Sequence, residues 1–133
     1  MSSPLVVLDG AHSSISMEAL CRAICENFRY TQVIFIVSIM KDKDLTAIGE
    51  IISKTADHVI ATQVSDNPRV LSAETIQNTW SGICPKITTC PTPKKAISTG
   101  LSLASPTDLI CVTGSLYLVG ETLKFFNLEY EKI

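Results

Sequence analysis

The chain has 133 residues, a mass of 14.4 kDa, 46% hydrophobic and 18% charged residues, and a net charge of -2 from 11 basic and 13 acidic side chains. That length suits one domain, 1–133, whose core buries roughly two thirds of the unfolded surface. The apolar share excludes a disordered chain, the charge balance gives no field for steering nucleic acid, and no run reaches the ~20 apolar residues of a membrane span. The start MSSPLVV lacks the basic segment of an export signal, so a cytoplasmic protein with no membrane partner is expected.

In chain order, PLVVLD (4–9) reads as a strand that ends in Asp9-Gly10-Ala11-His12, and a helix is expected over 14–28 with Ser13 or Ser14 able to cap it. Next comes QVIFIVSI (32–39), apolar on both faces, then Met40-Lys41-Asp42-Lys43-Asp44 and a helix over 44–56. Asp44 is its expected N-cap, and Ile48, Ile51 and Ile52 share one face. A third strand is expected at HVIATQV (58–64), a helix over 72–81 behind Ser72, and a weak strand at KITTC (86–90). Pro91 and Pro93 are expected to open a helix over 92–104, where a missing amide does no harm. DLICVTG (108–114) forms the last strand, followed by a helix after Leu116.

Val/Ile-rich strands alternating with amphipathic helices predict an α/β fold: a Rossmann-like open, mostly parallel sheet with helices on both faces. The five cysteines are odd in number and form no CxxC pair, which fits reduced thiols. Cys21 and Cys25 are one helical turn apart, yet no second ligand pair stands at a matching spacing, so both are expected in the core and no metal site is expected. His58 and Trp80 are read as structural, and Tyr117 is expected to pack the last helix against the sheet.

In a parallel sheet all strand-to-helix turns lie at the carboxyl edge, where such folds bind ligands. The turns here carry Asp9-Gly10-Ala11-His12, Met40 to Asp44, Ser65-Asp66-Asn67-Pro68-Arg69 and Thr113-Gly114-Ser115. Lys43, Arg69 and the helix-opening amides are anion donors, so a polar site preferring phosphate or carboxylate is expected. Neither GxxxxGK[ST] nor GxGxxG occurs, so tight nucleotide binding by this chain alone is not expected.

Three of these segments, LDGAH (8–12), MKDKD (40–44) and TGSLYLVGE (113–121), occur in an order that resembles the C-terminal domain of folylpolyglutamate synthase and dihydrofolate synthase, in the ATP-dependent Mur ligase superfamily. The likeness runs from about residue 5 to residue 125, with one departure: the family's Asn-Pro after DGAH is Ser13-Ser14 here. The resemblance implies a carbon-nitrogen ligase that adds L-glutamate to folate or dihydropteroate through an acyl phosphate. It implies an N-terminal P-loop domain, not contained in this chain, that holds most of the ATP and magnesium, with the isolated domain inactive.

The resemblance also implies contacts to ATP and the incoming amino acid, with Asp9 and His12 as the expected ATP contacts and Lys43, which resembles a lysine of related muramyl peptide ligases, as an expected glutamate contact. Ser115 and Arg69 are expected glutamate contacts from their own donor chemistry, and no catalytic residue and no metal ligand is expected on this chain. Simpler readings stand beside these: an Asx turn for Asp9, a solvated loop for His12 and Lys43, an N-cap for Ser115 and a surface ion pair for Arg69. Two other functions also stay open, a stand-alone ligand-binding or docking module and a Mur-type ligase acting on cell-wall precursors.

Overall fold

The computed structural model describes residues 3–65 and 67–127, so Asp66 of the third loop lies outside the described residues. Five strands, β1 (Leu5–Leu8), β2 (Val33–Val37), β3 (His58–Ala61), β4 (Ile87–Thr89) and β5 (Leu109–Thr113), alternate with five helices, α1 (Ser14–Asn27), α2 (Leu45–Ser53), α3 (Ala73–Trp80), α4 (Pro93–Leu103) and α5 (Leu116–Phe125). All strand pairings are parallel, in the order β1-β5-β2-β3-β4. The weak KITTC run is therefore a real edge strand, short because only Ile87 to Thr89 pair with β3.

Alternation along the strands builds two cores. Val33, Phe35 and Val37 point to the face covered by α1, α2 and α3, with Met17, Ile24, Ile48, Ile76 and Trp80. Ile34 and Ile36 point to the face covered by α4 and α5, with Ala96, Ile97 and Leu118. Period-2 strands buried on both sides read as continuous apolar runs for this reason.

Helix starts follow local chemistry. Asp44, Ser72, Thr92 and Ser115 each accept the amide three residues on. Ser13 and Ser16 form a capping box, each hydroxyl accepting the other's amide at 3.1 and 3.0 Å, so the helix starts without the family's Asn-Pro. Pro93 is the first residue of α4, whereas Pro91 lies outside it, ahead of the Thr92 cap.

Two expectations about packing are corrected. Cys25 is exposed, with its thiol 3.8 Å from the Tyr30 hydroxyl, because the buried stripe of α1 runs through Met17, Leu20, Cys21 and Ile24. Tyr117 is 61% exposed and does not pack α5 on the sheet; Leu118 and Thr122, one turn apart, take that role. Trp80 is fully buried and donates its indole N–H to the Leu45 carbonyl at 2.8 Å, and His58 lies 3.1 Å from the Thr88 hydroxyl at the amino end of β3. No helix of the described residues is long and apolar enough to cross a membrane.

Candidate functional site

The strand order decides where a crevice opens. β5 and β2 are neighbours, but β2 leaves toward α2 on one face while β5 leaves toward α5 on the other. Their loops diverge, and the gap between them at the carboxyl edge is the place where open α/β sheets take ligands. A cleft of about 290 Å³ occupies it, lined by His12 from the first loop, Met40, Asp42 and Lys43 from the second, Asn67, Pro68 and Arg69 from the third, and Ser115, Leu116 and Tyr117 from the last.

Four residues singled out from the sequence, His12, Lys43, Arg69 and Ser115, thus meet around one space. Asp9 does not line it. Its Oδ1 accepts the Ala11 amide at 2.8 Å in an Asx turn, which leaves Oδ2 for another donor. The carbonyl of Ala11 in turn accepts the Gly114 amide at 3.0 Å and the Thr113 hydroxyl at 3.3 Å, so the first and last loops are tied together.

His12 has its ring Nδ1 3.0 Å from the Gly10 carbonyl. A carbonyl only accepts, so Nδ1 carries the proton and Nε2 is left as the free ring atom. In the neutral ring Nε2 accepts from a hydroxyl or ammonium group; it donates to a phosphate oxygen only when the imidazole is protonated.

Ser115 is nearly buried, and its Oγ accepts the Leu118 amide at 3.1 Å. The cap uses a lone pair and leaves the hydroxyl proton, so one side chain starts α5 and keeps a donor for a second partner.

The second and third loops form one unit. An isolated antiparallel bridge joins Met40 to Val70, with the Lys41 amide donating to the Arg69 carbonyl at 2.7 Å and the Leu71 amide to the Ile39 carbonyl at 2.9 Å. This seam brings Arg69 to Asp42, whose Oδ2 lies 3.0 Å from Arg69 Nη2 and 3.6 Å from Lys43 Nζ. Desolvation is the largest influence on the Asp42 carboxyl and pushes its pKa upward, but its own amide and the charges of Lys43 and Arg69 together hold it below the ordinary value. Asp42 was the residue missed in the sequence. The signal was available: Lys43 has an acid on each side, and only Asp44 is needed as the cap.

Comparisons with known proteins agree with this architecture. A family model described as Mur ligase, glutamate ligase domain, matches residues 1–116. A probable bifunctional folylpolyglutamate synthase/dihydropteroate synthase of Halobacterium salinarum is 29% identical over 124 residues, 90% of this chain and 14% of the relative. A dihydrofolate synthase/folylpolyglutamate synthase of Mycobacterium tuberculosis is 28% identical over 75 residues, 56% of this chain and 15% of the relative.

Among solved structures, M. tuberculosis folylpolyglutamate synthase complexed with ADP and AMPPCP superposes with a TM-score of 0.86 at 22% identity, over 95% of this chain and 30% of that one. E. coli FolC in complex with DHPP and ADP gives 0.86 at 19% identity, over 96% and 30%. The chain thus spans about a seventh of these curated relatives and under a third of these solved chains. With five parallel strands, the carboxyl-edge cleft and a family model covering most of its length, the chain belongs to the Mur ligase family, as its glutamate ligase domain.

Proposed function

We propose that this chain is the C-terminal part of an ATP-dependent ligase that adds L-glutamate to folate or dihydropteroate through an acyl phosphate. The observation that carries the reading is the convergence of Lys43, Arg69 and the Ser115 hydroxyl on one cleft. Two cations and one hydroxyl donor suit the carboxylate of an incoming amino acid, and holding it there aims its amine at an activated acceptor. Activation of the acceptor carboxylate is the chemistry that ATP and magnesium supply, and we assign most of their contacts to the P-loop half of the same protein.

Asp9 fits a ribose, since its Oδ2 is free to accept a hydroxyl while Oδ1 shapes the loop. His12 fits either a hydroxyl through neutral Nε2 or a phosphate oxygen through the protonated ring. The surroundings support a partner half across the cleft: Leu116 and Tyr117, which both line it, are 71% and 61% exposed. Large apolar side chains grouped in this way suit burial against another domain.

The test uses the full-length ligase. Lys43→Ala and Arg69→Ala are each expected to raise KM for glutamate by about tenfold or more, the loss of a charge-assisted hydrogen bond, while KM for ATP changes little. Asp9→Ala is expected to do the reverse. The 133-residue chain alone is expected to form no folylglutamate. Ligase activity from this chain alone, or a full enzyme that glutamylates only a cell-wall precursor, would sink the reading.

A further inference from the structure

The Asp42 carboxylate stands between the two cations of the cleft. A single oxygen, Oδ2, serves both, at 3.0 Å from Arg69 Nη2 and 3.6 Å from Lys43 Nζ. The main-chain position of Arg69 does not depend on that ion pair, because the main-chain bonds between Lys41 and Arg69 and between Leu71 and Ile39 join the loops by themselves. The Arg69 amide is also held, donating to Asn67 Oδ1 at 3.0 Å. Removing the Asp42 charge therefore leaves both cationic residues anchored by their main chains at the same cleft.

Counting charges shows what Asp42 changes. Lys43 and Arg69 alone sum to +2, a pair that attracts a dianion such as phosphate more strongly than a single carboxylate. With Asp42 the sum is +1, which matches one carboxylate. We propose that Asp42 is a specificity-determining residue: by lowering the Lys43–Arg69 pair to +1 it weakens the cleft's hold on phosphate-type dianions more than its hold on a carboxylate monoanion. The proposal rests on the reading of this cleft as a carboxylate site. Discrimination of this kind matters in a ligase whose nucleotide and product are themselves phosphate anions.

Coulomb's law makes the test quantitative. Restoring one unit of positive charge acts on a dianion with twice the energy it has on a monoanion, so the gain for the dianion is about the square of the gain for the monoanion. At a separation near 5 Å in water the expected gains are roughly fourfold for acetate and roughly sixteenfold for phosphate. The 133-residue chain is titrated at pH 8 and constant ionic strength with acetate and, separately, with inorganic phosphate, following the amide shifts of residues 43 and 69. Asp42→Asn is expected to tighten phosphate about fourfold more than acetate. Asp42→Glu is expected to keep the wild-type ratio, and Asp42→Asn with Arg69→Gln, which returns the sum to +1, to restore it.

Equal gains for both anions would mean that the carboxylate only plugs the cleft. Unchanged affinities, or loss of both anions in Asp42→Asn and Asp42→Glu alike, would likewise overturn the proposal. The phosphate-to-acetate ratio does not depend on which substrate the ligase uses. A ligase that ignores glutamate would therefore leave the charge assignment standing, and a flat ratio would leave the glutamate reading standing.

Discussion

The amide of Gly114 donates to the carbonyl of Ala11 at 3.0 Å, and this bond joins the loop after β1 to the loop after β5, distant in sequence but carried by neighbouring strands. Gly114 has φ +106°, and a Cβ built there would lie 2.5 Å from the Ser38 carbonyl oxygen. Both the left-handed backbone and the close approach demand glycine. Gly114→Ala is expected to cost more than about 2 kcal/mol of stability, read as a fall in the urea midpoint. A change within about 0.5 kcal/mol would show that the loop adapts freely.

Gly49 and Trp80 form a second close approach, in the core. A Cβ on Gly49 would enter the indole whose N–H is held by Leu45. Gly49→Ala is expected to destabilise by about 2 kcal/mol or more through overpacking. Trp80→Phe removes the obstructing ring edge together with the hydrogen bond and should cost about 2–4 kcal/mol. In the double variant the cost of the Gly49 change should shrink by at least ~1 kcal/mol, a coupling that a double-mutant cycle measures. Strict additivity would contradict the packing described.

Ser115 lets capping and binding be separated. At an N-cap glycine costs only a few tenths of a kcal/mol against serine, whereas alanine costs about 1 kcal/mol. Ser115→Gly should therefore leave thermal stability close to wild type while removing the hydroxyl donor from the cleft. In the full-length ligase its KM for glutamate is expected to rise several-fold. An unchanged KM would assign the hydroxyl to the cap alone.

His58 predicts a pH dependence. Burial, with the nearby charge of Lys86 as a second cause, lowers its pKa below the ordinary 6.5. The unfolded chain therefore binds the proton more readily than the folded one, so stability is full above pH ~6.5 and declines as the pH falls through that value toward the folded pKa. Melting temperatures measured from pH 7.5 to 5 should fall more steeply for the wild type than for His58→Gln, which keeps a donor toward Thr88. Parallel curves would remove His58 as the cause.

The thiols should differ sharply in reactivity. Burial pushes Cys84 up to about 11 and raises Cys111 further, and it raises Cys21 despite a hydrogen bond with Thr55. Cys25 is the exposed thiol among the five cysteines. Brief treatment with iodoacetamide at pH 8, followed by peptide mass mapping, should label Cys25 first and the other four only after unfolding. Labelling of Cys84 or Cys111 at the rate of Cys25 would contradict their burial.

Much of this fold was legible in the sequence because the signals are local. A β-branched run announces a strand, and a Ser, Thr or Asp beside an apolar stripe announces a helix start, so Asp44, Ser72 and Ser115 identified their caps without tertiary information. Where the local signal was double-valued the expectation failed. Tyr117 and Leu118 are adjacent and both apolar, and only the angle at which α5 meets the sheet makes Leu118 the buried one. Cys21 and Cys25 differ in the same way on α1.

Local residue patterns are enough to set the alternating α/β elements, their caps and the polar composition of the four loops. Which loops meet was decided by the strand order, because inserting β5 between β1 and β2 brings residues 12, 43 and 115 to one crevice. The Met40–Val70 bridge then carried Arg69 to Asp42. No residue near Arg69 in the chain encodes that meeting, since it arises from main-chain groups pairing across two loops that only the folded sheet sets side by side.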